Sequence, residues 1–217
     1  MQQIFTLIGQ STLQTLLMVL ISTIFALIIG FPLGVLLNVT NKFGIAPKPV
    51  FNAILSRIID VFRSFPFVIL MIVLLPLTRM ILGTAIGTGP TIIPLSIAAA
   101  PFVARITETA LNEVDSGVIQ AARAMGSTNW QIIYKVLIPE AIPSVVSGIT
   151  LTIINLISYS AMAGTLGGGG LGDLAIRFGY QRFRTNIMII SVIVIIIMVA
   201  LIQFAGTKIS NKMMSKR

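Results

Sequence analysis

Long stretches without a charged residue divide this sequence, and shorter charged stretches separate them. The uncharged runs are 1–41, 64–78, 80–104, 141–172 and 185–207. A helix needs about 20 apolar residues to cross roughly 30 Å of hydrocarbon, and every run except 64–78 is long enough. A lone strand leaves its backbone unpaired in lipid, so even the Ile- and Val-rich last run is predicted to be helical. The pattern therefore predicts an all-α membrane protein.

Five membrane-spanning helices follow from these runs, over about 13–37, 57–79, 90–107, 142–164 and 186–206. Because run 64–78 is too short to span, we extend it backward into one continuous helix over 57–79. This extension brings Asp60 and Arg63 to the membrane face, and their three-residue spacing allows them to pair on one side of the helix. The glycines and prolines of run 80–104 predict a loop followed by a kinked helix.

Composition agrees with lipid as the solvent, because 56% of the residues are hydrophobic and 10% are charged, against about a quarter charged in soluble proteins. The formal net charge is +9, but the basic residues are scattered between apolar runs and form no basic face. We therefore expect no nucleic-acid binding. The sequence contains neither Cys nor His, so we expect no metal site and no thiol or imidazole catalysis.

The distribution of Lys and Arg predicts the orientation, because cytoplasmic segments carry the excess of these residues. With the C-terminus in the cytoplasm, the outer segments hold only Arg79, Arg177, Arg182 and Arg184 out of 15 basic residues. The N-terminal segment 1–12 is then extracytoplasmic. The polar loop 108–139 and the basic tail 207–217 are cytoplasmic.

The cytoplasmic loop 108–139 is predicted to begin with a short helix. Ser116 is in a position to cap this helix, and Gly126 to end it in a left-handed turn. Helical spacing places four apolar residues on one predicted side: Val118, Ile119, Ala122 and Met125.

A second helix is predicted to follow in the same loop. Thr128 and Gln131 have the spacing of a capping box, and Pro139 is expected to end the helix. The result is a compact knob in which the small residues Ala121 and Ala122 allow close packing against a partner. An ordinary interfacial helical hairpin is the alternative interpretation.

The spacing of this knob resembles the EAA loop of ABC importer permeases, which reads E-A-A, three residues, G, nine residues, then I-x-L-P. The matching residues here are Gln120, Ala121, Ala122, Gly126 and the segment 136–139, which ends at Pro139. In that family the loop docks into a groove of the ATPase, so the resemblance implies that these residues couple ATP hydrolysis to transport. Gln120 departs from the pattern: it keeps hydrogen-bonding reach but lacks the charge for a salt bridge.

Four further segments resemble the methionine importer permease subfamily: 62–67 (FRSFPF), 99–102 (AAPF), 123–126 (RAMG) and 158–164 (SYSAMAG). The resemblance implies a type I ABC importer permease fold over 13–206 that works as a homodimer. It also implies two copies of an ATPase subunit, which bind ATP and Mg, and an extracytoplasmic methionine-binding protein. The sequence has no G-x-x-x-x-G-K-[ST] motif, so we expect no nucleotide or other cofactor in this chain.

Four residues of the predicted fourth span are candidates for a translocation path: Asn155, Ser158, Tyr159 and Met162. The flexible thioether of Met162 can close a pore at a dimer axis, although its small neighbours are also typical of plain helix packing. The polar three either line the path or hydrogen-bond between helices. Spans one, four and five hold no acid or base, which argues against ion-coupled transport and for an apolar or zwitterionic solute.

Gly167, Gly169 and Gly172 fit G-x-G-x-x-G, but a predicted membrane helix precedes them instead of a strand. A flexible outer loop that meets the binding protein is the preferred interpretation. The leading functional hypothesis is the permease subunit of an importer for L- and D-methionine. The alternatives are an importer of another amino acid and a membrane anchor or assembly protein without a transport path.

Overall fold

The computed structural model describes residues 2–215, with side chains from residue 5 onward, and this part of the chain is helical without strands. The helices are listed here in chain order: α1 Gln2–Thr40, α2 Pro49–Ser64, α3 Phe67–Leu82, α4 Thr88–Asn112, α5 Ser116–Ala124, α6 Asn129–Ile132, α7 Ile138–Gly164, α8 Gly170–Asp173 and α9 Thr185–Met214. Two π-helical segments, Ile133–Leu137 and Leu174–Tyr180, follow α6 and α8. The predicted all-α class is confirmed.

Four helical stretches are long and apolar enough to cross a membrane: Phe5–Thr40, Thr88–Asn112, Asn129–Gly164 and Thr185–Met214. The bent pair formed by α2 and α3 makes a fifth if it counts as one span. Helices α1 and α9 both continue beyond the predicted spans 13–37 and 186–206. The bundle therefore has the helices that five crossings require.

The prediction of one continuous helix over 57–79 is wrong. The chain bends by 101° between α2 and α3. Phe65 has the extended dihedrals φ −69° and ψ 127°, because the ring of Pro66 disfavours helical backbone at the residue before it. Helix α2 also begins well before residue 57, at Pro49.

Helix α1 packs closely along α4 through small residues. A Cβ atom added at Gly30 would collide with the carbonyl oxygen of Ala100, and one added at Gly34 with that of Ala104. Both pairs have the four-residue spacing that lets membrane helices approach each other. The core around this contact includes the fully buried Met18.

Candidate functional site

Helix α5 ends at a glycine turn, as predicted. Gly126 has φ +79°, which is favourable only without a Cβ atom. Its amide donates to the carbonyl oxygen of Arg123 at 2.9 Å, and the amide of Ser127 donates to that of Ala122 at 3.1 Å. These two bonds form a Schellman motif, which reverses the chain toward α6.

The predicted N-cap of α5 is wrong by one residue. The amide of Gly117 donates to the carboxylate of Asp115 at 2.8 Å, so Asp115 is the cap and Ser116 is the first helical residue. A carboxylate is a stronger hydrogen-bond acceptor than the serine hydroxyl, and its charge also complements the positive end of the helix dipole.

The start of α6 agrees with the predicted capping box. The amide of Thr128 donates to the side-chain oxygen of Gln131 at 2.8 Å, and the amide of Gln131 donates back to the Thr128 hydroxyl at 3.4 Å. The prediction that Pro139 ends this helix is wrong, because α6 continues through the π segment into α7. The wider π turn, in which the amide of Ile138 donates to the carbonyl of Ile133, accommodates a proline at the first turn of α7.

This continuity joins the loop to a membrane helix. Residues Asn129–Gly164 form one helical stretch from the knob into the predicted fourth span. The knob also packs on the membrane helices, because Ala122 and Ile132 lie in a buried cluster with residues at the ends of α1 and α4. The knob and the predicted fourth span are therefore parts of one continuous helical stretch.

The predicted apolar side of α5 is only half buried. Ile119 and Ala122 pack inward, whereas Val118 and Met125 are exposed. The core contacts only one edge of the predicted apolar side of α5, so the residues at the other edge remain on the surface. We call five exposed residues of this region the knob surface: Val118, Ala121, Met125, Trp130 and Tyr134.

The five predicted coupling residues divide between the surface and the core. Four are exposed: Gln120, Ala121, Gly126 and Pro139. Ala122 is 3% exposed, so its small size serves packing within the chain rather than against a partner. Arg123 was not among the predicted coupling residues. Its guanidinium donates to the carbonyl oxygen of Ile45 at 3.1 Å and holds α5 against the α1–α2 connection.

One face of α7 carries an exposed stripe at helical spacing. It consists of Ser147, Leu151, Asn155, Ser158 and Met162, of which Asn155 is half-buried and the others are exposed. The other exposed faces of the apolar helices carry mostly Ile, Leu, Val and Phe, as lipid contact requires. A polar stripe at membrane depth is instead suited to a water-lined path or to another protein surface. We call these five residues the α7 stripe.

The structure brings three of the four predicted path residues together and separates the fourth. Asn155, Ser158 and Met162 share the α7 stripe, whereas Tyr159 packs toward α3. Its ring stacks on Phe67 with centroids 4.6 Å apart and an interplanar angle of 2°.

A charge cluster that the sequence reasoning missed joins α2 to α4. The guanidinium of Arg105 lies 2.8 Å from the carboxylate of Asp60 and 2.7 Å from that of Glu108. It also donates to the carbonyl and hydroxyl oxygens of Ser56 at 3.1 and 2.5 Å. The predicted Asp60–Arg63 pair is present at 3.9 Å, but Arg105 is the closer partner. Within residues 2–215, no group of three or more Asp or Glu side chains is placed to hold a metal ion.

The segment around Gly167, Gly169 and Gly170 is packed, contrary to the prediction of a flexible loop. All three glycines have positive φ angles. The amide of Gly170 donates to the side-chain oxygen of Gln14 at 3.0 Å, and the amide of Leu171 donates to the hydroxyl of Thr15 at 2.9 Å. These bonds hold the glycine turn against α1.

Several long apolar helices, with a polar stripe on one of them and a helical knob that continues into the same helix, are the features of a multi-pass membrane protein. The chain belongs to the family described as binding-protein-dependent transport system inner membrane components, and the match covers residues 30–210. It is a plasma-membrane permease subunit of an ABC importer, and ATP hydrolysis belongs to a separate subunit.

Curated relatives match nearly the whole chain. The probable D-methionine transport system permease protein MetI of Pasteurella multocida is 48% identical, with 97% of this chain and 97% of that protein covered. The methionine import system permease protein MetP of Bacillus subtilis is 44% identical, with 81% and 79% covered. The predicted family is therefore confirmed.

Solved structures agree with the fold. The inward-facing MetNI methionine ABC transporter matches with a TM-score of 0.96 and 42% identity, covering 98% of this chain and 99% of that one. This similarity implies a dimeric permease with an ATPase partner. An amino acid ABC transporter solved with histidines has a TM-score of 0.80 at 20% identity over 98% and 96% of the chains, which shows the fold alone. The predicted type I importer fold is confirmed.

Proposed function

We propose that two copies of this chain form the methionine-conducting part of an ABC importer that carries the L- and D-enantiomers. The main support is the 48% identity over 97% of both chains to a relative named for D-methionine transport. The polar α7 stripe gives this assignment a physical basis, because a path between two facing stripes would admit a zwitterion with a modest apolar side chain.

The knob surface is the proposed contact for the ATPase. Val118, Met125 and Trp130 are 42%, 79% and 71% exposed, and apolar and aromatic side chains at this exposure are typical of interface centres. Gln120 and Gly126 border this surface. Closure of two ATPase subunits on ATP would move both knobs, and the continuous stretch from α6 to α7 would carry the motion to the stripes.

In the proposed orientation the C-terminus is cytoplasmic and α7 runs outward from the knob. Met162 then lies toward the outer end of the α7 stripe, close to the end of the helix at Gly164. The packed glycine turn after α7 would face an extracytoplasmic methionine-binding protein. Substrate released there would pass Met162 first, then Ser158 and Asn155.

Transport by the reconstituted complex tests the proposed function. The chain is expected to take up labelled L- and D-methionine in proteoliposomes only when the ATPase, ATP and the binding protein are all present. Mass spectrometry of proteins that copurify with the tagged chain should identify both partners. Uptake of a different amino acid through the same partners would support the alternative cargo, and uptake without the binding protein would contradict the proposed partner.

Replacing Met162 by Ala tests whether this residue closes the path. The side chain is 45% exposed and therefore is not needed to fill the core of one subunit. We expect Met162→Ala to raise passive methionine efflux from proteoliposomes several-fold and to raise basal ATPase activity. Met80→Ala is a matched control, because Met80 is a 78% exposed methionine on α3 and is not a member of the α7 stripe. Unchanged methionine efflux and unchanged basal ATPase activity in Met162→Ala would contradict the gate.

A further inference from the structure

Arg63 is a charged residue at the break between α2 and α3. It lies in the last turn of α2, and its side chain is 42% exposed. The predicted topology places Arg63 near the membrane face, where a guanidinium needs water, a ligand or a counter-charge as its partner. The non-helical backbone at Phe65 lines a cavity beside it. The surroundings of Arg63 therefore point to a ligand or a water-filled space.

Two cavities meet at Arg63. The smaller, of about 170 Å³, is walled by aromatic rings, including those of Phe67 and Tyr159. The larger, of about 460 Å³, is lined by Ser147 and by another member of the α7 stripe, Leu151. Because Arg63 lines both cavities, this residue stands where the proposed path borders an aromatic pocket.

The carboxylate nearest to Arg63 is already engaged by another cation. Two guanidinium nitrogens of Arg105 contact the Asp60 carboxylate oxygen, at 2.8 and 3.2 Å. The nearest guanidinium nitrogen of Arg63 lies 3.9 Å from the same oxygen. The Asp60–Arg63 contact is longer than a charge-assisted hydrogen bond. Arg63 therefore keeps donors for an anionic group in the cavities.

The aromatic wall beside Arg63 is suited to an apolar group. Phe67 is 7% exposed, and its stacking on Tyr159 holds both rings in place. Aromatic rings contact aliphatic groups well, and they also contact thioether sulfur favourably. A cation and a fixed aromatic wall side by side match a small molecule with a carboxylate at one end and an apolar side chain at the other.

We propose that Arg63 binds the carboxylate of the transported amino acid, while Phe67 and Tyr159 contact its side chain. This inference rests on the proposed function and adds a substrate-binding site to it. A guanidinium pairs with a carboxylate through two parallel hydrogen bonds, which lysine cannot reproduce. Recognition by carboxylate and side chain is compatible with uptake of both enantiomers.

Uptake by the complete importer in proteoliposomes, with saturating binding protein, is the first test. Arg63→Gln is expected to lower methionine uptake about tenfold or more, because hydrogen bonds to charged groups contribute about 1.5–3 kcal/mol. Arg63→Lys should retain part of the activity. Arg57→Gln is the matched control: Arg57 is an exposed arginine of the same helix that lines neither cavity, and its loss should leave uptake unchanged.

Competition binding separates substrate recognition from a structural role. Labelled methionine is bound to the permease–ATPase complex without binding protein and is competed by unlabelled methionine or by methioninol, which has no carboxylate. The wild-type complex should discriminate strongly between the two competitors. Arg63→Gln should lose this discrimination. Arg63→Lys should still prefer methionine over methioninol but bind methionine more weakly. If Arg63→Gln fails to assemble, the measurement on Arg63→Lys serves as the test.

Two outcomes would overturn the role of Arg63. One is a wild-type complex that binds no methionine or binds both competitors equally, and the other is unchanged discrimination in Arg63→Gln. Uptake by the wild-type importer distinguishes failure of the proposed function from failure of the proposed role of Arg63. If the wild-type importer takes up no methionine, the proposed function fails; if it does and Arg63→Gln transports at the same rate, only the role of Arg63 fails.

Discussion

Replacing Gly126 by Asp is expected to abolish coupled transport while the permease still inserts and dimerises. No atom lies within 4 Å of the position that a Cβ atom would occupy, so the side chain fits without a collision inside the chain. The φ angle of +79° strains a residue other than glycine, and the carboxylate adds an unpaired charge beside the knob surface. An unpaired charge buried at an interface costs about 2–5 kcal/mol, so uptake should fall at least about tenfold.

The measurement for Gly126→Asp compares methionine uptake with ATPase stimulation by the binding protein. Gly126→Asn is the matched control, because Asn has the size of Asp and tolerates left-handed backbone but carries no charge. It is expected to retain more uptake than Gly126→Asp. Normal uptake and normal stimulation in Gly126→Asp would contradict docking at this surface.

Replacing Arg105 by Gln is expected to give a large loss of stability. The Arg105 and Glu108 side chains are 20% and 14% exposed, and removing the guanidinium takes away the cation that the carboxylates of Asp60 on α2 and Glu108 on α4 share. The cost should lie between the roughly 0–1 kcal/mol of an exposed ion pair and the roughly 3–5 kcal/mol of a buried one, because Asp60 is 49% exposed. A lower melting temperature in detergent is the expected result.

Arg177→Gln is the control for Arg105→Gln. Arg177 also lies 2.8 Å from a carboxylate, that of Asp173, but its side chain is 57% exposed. Its loss should change the melting temperature little, since exposed ion pairs contribute little. Equal destabilisation by the two variants would contradict the view that the Arg105 cluster holds α2 against α4. Partial recovery in an Arg105→Gln, Asp60→Asn double variant would support it.

The break at Phe65–Pro66 illustrates where sequence reasoning stopped. Proline was visible in the sequence, but Pro32, Pro94 and Pro101 lie inside α1 and α4 without ending them. A proline in an apolar run therefore predicts a bend without giving its angle. In the folded chain α3 is positioned by tertiary contacts, including the stacking of Phe67 on Tyr159, which lies in another helix.

In the 108–139 loop, too, short-range features were predictable and a longer-range one was not. Gly126 and the Thr128–Gln131 capping box were predictable, because each depends on backbone and side-chain groups within a few residues. The continuation of α6 into α7 past Pro139 was not predictable, because a π turn has no reliable sequence signal.

By itself, the sequence determined that the protein is a bundle of membrane helices with a capped helical knob. Apolar length, charge distribution and caps are properties of neighbouring residues, so they can be read along the chain. Only the tertiary structure decided that Asp60 pairs with Arg105, that Ala122 faces inward, and that Met162 and Tyr159 face different surroundings. Each of these depends on which helix packs against which, and contacts between segments far apart in the chain are not encoded in local spacing.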